Sequence, residues 1–161
     1  RLTEFYSKEN KTPLAIVRLF YATELRYGIV LDIAQKIHAQ MPIDLAMGHV
    51  NQIWQGDANA YLAQMFPLCD APARVINMTG ADVLSVRELA QALGEKMGIG
   101  PVFEGEESQT ALLGNAQEIF DALGKPQVPI EKIVDWVAHW VMVDGHTLGK
   151  PTKYESRTGQ F

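Results

Sequence analysis

Arg74-Val75-Ile76-Asn77-Met78-Thr79-Gly80, followed by Ala81-Asp82-Val83-Leu84 and then Ser85-Val86-Arg87-Glu88-Leu89-Ala90, decides the fold. The first block is a short apolar run ending in glycine, the pattern of a buried strand. The last block opens a helix with a capping box. Ser85 accepts from the backbone N–H of Glu88, and Glu88 reaches back to Ser85. Leu84 and Leu89 stand where a hydrophobic staple closes the helix start. Strand, turn and helix in close succession predict an α/β unit. The helix runs on to about Met97, with Val86, Leu89, Ala90, Leu93 and Met97 as its buried stripe and Gly98 and Gly100 ending it.

Working outward, residues 13–20 are almost continuously apolar and suit a strand buried on both faces of a parallel sheet. Residues 27–40 place Val30, Ile33, Ala34 and Ile37 at helical spacing, with Met41 next on the same stripe. Residues 42–47 read as a short strand. Asp57 reads as the cap of a helix that turns Ala58, Tyr61, Leu62, Met65 and Phe66 inward. Residues 101–104 suit a short edge strand, and residues 115–123 a helix closed by Gly124. Pro129 suits the first turn of a final helix with Ile130, Ile133, Val134, Val137, Trp140 and Val141 on its apolar face. Residues 1–7 read as the last turns of a helix, which predicts a piece of a longer protein. Only 13–20 and 74–79 read as central strands, so the rest of the sheet is expected outside this chain. Residues 1–145 form one portion and 146–161 a polar tail, basic and carrying Tyr154 and Phe161. The aromatics favour docking of that tail over a missing domain or a partner subunit.

The bulk numbers narrow the class. A chain of 161 residues, 47% hydrophobic and 20% charged, can bury a core as one domain. A net charge of −5 with dispersed Lys and Arg speaks against a nucleic-acid surface. No apolar run reaches the ~18–20 residues of a membrane span. Cys69 is the single cysteine, so no internal disulfide forms and a reducing, cytoplasmic location is expected.

The order of these elements resembles the C-terminal part of an extended short-chain dehydrogenase/reductase, the NAD(P)-dependent epimerase/dehydratase family. The resemblance spans about residues 1–141. It rests on Leu14-Ala15-Ile16-Val17-Arg18-Leu19-Phe20, on the strand and helix at 74–93, and on Leu113-Gly114-Asn115-Ala116 through Leu123-Gly124-Lys125-Pro126 before a Trp-bearing helix. It implies a Rossmann-like α/β fold: the last parallel strands plus a small, mostly helical substrate-binding domain. It also implies hydride transfer at a hydroxyl or carbonyl carbon of a small, often sugar-derived substrate, with NAD or NADP in the intact protein. Tyr21, Ala22 and Thr23 fall where the family faces the cofactor, and Glu24, Arg26, His49, Asn51 and Trp54 where it faces substrate.

The chain also departs from the family. Tyr21-Ala22-Thr23-Glu24-Leu25 stands where an Asn and then Tyr-Gly-Pro are common, and Asn51-Gln52-Ile53-Trp54-Gln55-Gly56-Asp57 carries no Arg for a diphosphate. No Gly-x-Gly-x-x-Gly follows a strand, and no Tyr-x-x-x-Lys pair occurs. No catalytic residue is therefore assigned within the chain, and no tightly held cofactor is expected on it alone. The expected partners are a cofactor domain, a small molecule and a second copy.

Two other readings stay open: a non-catalytic module that binds a nucleotide or partner, and a self-standing small domain. His38, His49, His139 and His146 are dispersed, with no metal-ligand spacing. Glu104, Glu106 and Glu107 read as a solvated turn, Trp136 and Trp140 as packing, and Cys69 has no basic neighbour to make it a nucleophile.

Overall fold

The computed structural model describes residues 1–157. In chain order the elements are α1 (Leu2–Asn10), β1 (Ala15–Leu19), β2 (Tyr21–Thr23), α2 (Ile29–His38), β3 (Pro42–Asp44), β4 (His49–Val50) and β5 (Gln52–Trp54). There follow α3 (Gln55–Gln64), a 3₁₀ turn (Phe66–Leu68), β6 (Arg74–Met78), β7 (Leu84–Ser85), α4 (Val86–Met97), β8 (Val102–Glu104), α5 (Gln117–Leu123) and α6 (Ile130–Met142).

The two expected central strands pair directly. β1 lies parallel to β6, Ala15 opposite Arg74 through Leu19 opposite Met78. At Phe20 the chain changes partner: β2 runs parallel to β5, Tyr21 opposite Gln52 and Thr23 opposite Trp54. β3 is parallel to β8, so the edge strand at 102–104 has a mate, and β4 pairs antiparallel with β7. The parallel pairs connected through helices make this a mixed α/β fold.

Two cores flank the strands. The larger gathers α2, α4 and α6 with Ile43, Leu45, Met47 and Val50. Its side chains include Ile33, Ile37, Leu93 and Val137, all at 0% exposure. Fully burying one such side chain is worth about 1.5–3 kcal/mol. The smaller core packs α3 and α5 against Ile53, Ile76 and Met78.

The decisive stretch folds as its residues dictate. Ser85 is the N-cap of α4 and its Oγ accepts from Glu88 N–H at 3.3 Å. All five residues of the α4 stripe are buried, and Gly98 closes the helix with φ 68°. Gly80 tolerates no side chain, because a Cβ there would lie 2.0 Å from the Gln52 carbonyl oxygen.

Several expectations need correction. The first helix runs past residue 7 to Asn10 and closes on Lys11 in the left-handed region. Lys and Glu are good helix formers and carry it on. β1 is not buried on both faces: Leu19 is 51% exposed, because β6 is its single strand neighbour among the described residues. Met41 lies past the end of α2 and is exposed. The N-cap of α3 is Trp54, which puts Asp57 inside the first turn. Leu62 and Phe66 point outward, while Ala58, Tyr61 and Met65 are buried. Pro129 is the N-cap of α6 rather than its first residue.

The tail folds onto its own chain. Thr152 donates from N–H and Oγ1 to Asp32 Oδ2 at 2.7 and 2.6 Å, Lys36 pairs with Glu155, and Tyr154 is 1% exposed in the three-helix core. Phe161, the other aromatic of the expected docking tail, lies outside the described residues.

Candidate functional site

β1 delivers Leu19 and Phe20 to its carboxyl end, and β2 continues with Tyr21. Ligands in α/β sheets bind beyond the carboxyl ends of strands. Here that ground is a cavity of about 640 Å³. Leu19, Phe20 and Tyr21 form one side, Met47 and Val50 another, and Leu112 and Leu113 a third. Tyr27, Thr152 and Tyr154 also line it.

The third side is a loop held from below. Asn51, 5% exposed, donates through Nδ2 to Gly114 O at 2.7 Å and accepts at Oδ1 from Gly114 N–H at 3.1 Å. A Cβ on Gly114 would meet the Phe20 ring at 2.8 Å, so the loop lies flat on that ring. Asn51 is therefore a positioning residue: both ends of its amide hold backbone.

The Tyr21 phenol has its pKa raised above 10.0 by burial, then by Tyr27 and Glu155. Tyr154 is raised much further, first by burial and then by Glu155, Asp32 and Asp44. Both phenols stay protonated at neutral pH. The Tyr154 hydroxyl is buried with no hydrogen-bond partner among the described residues.

The other expected site residues scatter. Ala22 packs into the smaller core. Thr23 is fully buried against Gly28, whose absent Cβ would lie 2.6 Å from Thr23 Oγ1. Glu24 and Arg26 hold each other, Arg26 Nε lying 3.1 Å from each carboxylate oxygen. His49 is exposed on β4 opposite Ser85. Trp54 belongs to a different cavity of about 180 Å³, with Gln52, Asp82 and Lys125 among its walls. Its ring centroid is 5.2 Å from that of Trp136.

Sequence reading missed Tyr27, Met47, Leu112, Leu113 and Tyr154 as cavity walls. Tyr27 and Tyr154 reach the cavity through tertiary packing, which no local pattern marks. Among the described residues no group of three or more His, Cys, Asp or Glu converges as a metal site. No helix among them is long and apolar enough to cross a membrane.

No family model and no curated protein matches the chain. Solved structures do. UDP-glucuronic acid 4-epimerase from Bacillus cereus, in complex with NAD, superimposes with a TM-score of 0.71 at 15% identity, over 87% of this chain and 47% of that one. RMD from Pseudomonas aeruginosa, complexed with NADPH, gives 0.71 at 13% identity over 89% and 53%. The fold is that of the extended short-chain dehydrogenases/reductases. UDP-glucose 4-epimerase from Thermus thermophilus, complexed with NAD, matches this reductase fold at 0.66 and 13% identity, over 86% and 49%. The chain spans about half the length of the reductase-fold structures it matches.

Proposed function

We propose that this chain is the substrate-binding portion of an NAD(P)-dependent epimerase/dehydratase-like oxidoreductase acting on a small hydroxyl or carbonyl compound. The observation that carries the reading is the cavity of about 640 Å³ at the carboxyl end of β1, in a fold shared with structures holding NAD and NADPH. Its size suits a small organic ligand.

The residues present fit one end of a nicotinamide cofactor. Leu19, Phe20 and Tyr21 offer an apolar, aromatic floor of the kind a nicotinamide ring needs. The sequence has no glycine-rich strand-to-helix turn for a pyrophosphate. The cofactor, when bound, supplies or accepts the hydride. On this reading most of it is held by a separate Rossmann half. The free edge of β1 and the exposed Leu2, Phe5 and Tyr6 of α1 support a partner of that kind. A second copy of the chain is a further proposed partner. The half-buried free Cys69 suits the reducing cytoplasm proposed as its location.

The test uses the whole product of the gene that encodes this chain. NADH and NADPH are titrated against it, and their oxidation is followed with a panel of small ketones and aldehydes. Nicotinamide binding and turnover, both lost in Leu19→Arg, are expected. Nicotinamide or partner binding without turnover would favour a non-catalytic module with the same fold.

A further inference from the structure

The inference drawn from the cavity concerns its ligand, and it rests on the reading above, which takes that cavity as the substrate site. None of the residues lining it is Arg, Lys or His. Arg18 and Lys153, next in sequence to lining residues, are exposed and do not line it, and three other cations nearby are engaged. Lys36 pairs with Glu155. Arg26, beside Tyr27, is held by both oxygens of Glu24. Arg157 gives Nη1 to the carbonyls of Ala46 and Thr110 at 2.9 and 3.0 Å, and Nη2 to Thr110 Oγ1 at 2.7 Å. The charged neighbours felt by the wall tyrosines are acidic: Glu155, Asp32 and Asp44.

A diphosphate in such a place would lose water and gain no counter-charge from the lining residues, which is costly. Sites for diphosphates normally offer arginine forks or a helix N-terminus. The polar groups that remain are neutral hydroxyls. Thr152 Oγ1 is fixed on Asp32 at 2.6 Å. The hydroxyls of Tyr21 and Tyr27 make no hydrogen bond among the described residues, and both residues line the cavity half-buried. Around them the walls are Leu, Phe, Met and Val.

We infer that the cavity takes an uncharged, largely apolar molecule with one hydroxyl or carbonyl oxygen, gripped by Tyr21 and Tyr27, and not a nucleoside diphosphate sugar. The aromatic floor formed by Phe20 suits an aryl group on that molecule.

The experiment is ligand-observed saturation-transfer NMR on the full chain with three probes: acetophenone, UDP and UDP-glucose. Acetophenone is expected to bind, and UDP and UDP-glucose to give no signal at the same concentrations. Tyr21→Phe should weaken acetophenone about two- to tenfold, the net worth of one neutral hydrogen bond. Tyr27→Phe provides the same readout if the first variant folds poorly. Leu113→Arg, at an exposed wall position, should confer UDP binding.

UDP binding tighter than acetophenone would overturn the inference. So would the absence of any acetophenone signal, or acetophenone binding that neither Tyr→Phe variant alters. These arms need no cofactor. If they succeed while the whole gene product shows no nicotinamide-linked turnover, the ligand class stands and the proposed oxidoreductase role falls. If UDP-glucose binds and turns over, the reverse holds.

Discussion

Asn51 offers an amide donor and an amide acceptor to one residue, Gly114, and so fixes a loop that walls the cavity without touching its interior. Asn51→Ala leaves the Gly114 N–H and C=O without their partner. The expected loss is about 1–3 kcal/mol. Faster amide exchange confined to 110–116 is the measurement that separates a loosened loop from general unfolding.

Asp32 gives a pH signature. Burial, the largest effect, raises its pKa, the hydrogen bonds from Thr152 oppose this, Glu155 adds to the rise and Lys36 lowers it. The folded chain thus holds this proton more tightly than the unfolded one. The stability it contributes is full below the unfolded value near 3.9 and is lost as pH rises through the higher folded value. Asp32→Asn, which keeps an oxygen for Thr152, should remove that loss. Urea midpoints of the two proteins, compared upward from about pH 4, should converge or cross, and curves that stay parallel would refute the assignment.

At the scale of elements, the strand-turn-helix at 74–97 was legible because every local signal agreed: an apolar strand, a serine cap, a helical stripe and a glycine stop. Ser85→Ala should cost about 1 kcal/mol, within a range of 0.5–2. That is a fall in melting temperature of about 2–4 °C for a domain of this size. Thermal melts of the two proteins check it, and an unchanged midpoint would mean that the β4–β7 pairing, not the cap, holds the helix start.

Other elements were less legible for a common reason: the deciding partner is distant in sequence. Asp57 looks like a cap by composition, yet it accepts from Val128 N–H at 3.0 Å, 71 residues on. Tyr61 likewise donates to Gly124 O at 2.6 Å, with its phenol pushed up to about 12 by burial and then by Asp57. The tail at 146–157 reads as polar, but its Thr152 matches a carboxylate on α2 that no local pattern announces. For the same reason sequence reading found Tyr21 as part of the candidate site and missed Tyr27 and Tyr154. The first follows a recognisable strand end, whereas the others reach the cavity through tertiary packing.

At the scale of the molecule, the open flank of the sheet sets behaviour in solution. Leu14 and Phe20 donate their N–H groups toward the β6 side, to Asp70 O at 2.9 Å and Met78 O at 3.0 Å. Successive residues of a strand face alternate sides, so Ala15, Val17 and Leu19 turn their N–H groups to the free edge. Leu19 and Phe20 at the end of that edge are 51% and 36% exposed, and Leu2, Phe5 and Tyr6 of α1 are more than half exposed. An unpaired apolar edge is a template for another strand. The chain is therefore expected to self-associate as its concentration rises, with the average mass from light scattering climbing above that of a 17.9 kDa monomer. Leu19→Lys places a charge on the edge, a device natural sheets use to block pairing. It should shift association to higher concentration by about tenfold, equivalent to ~1.4 kcal/mol, while leaving the melting temperature nearly unchanged because Leu19 contributes little to the core. A chain that stays monomeric at millimolar concentration would show that the β1 edge is not a pairing surface, and would also weaken the case for a Rossmann half docking there.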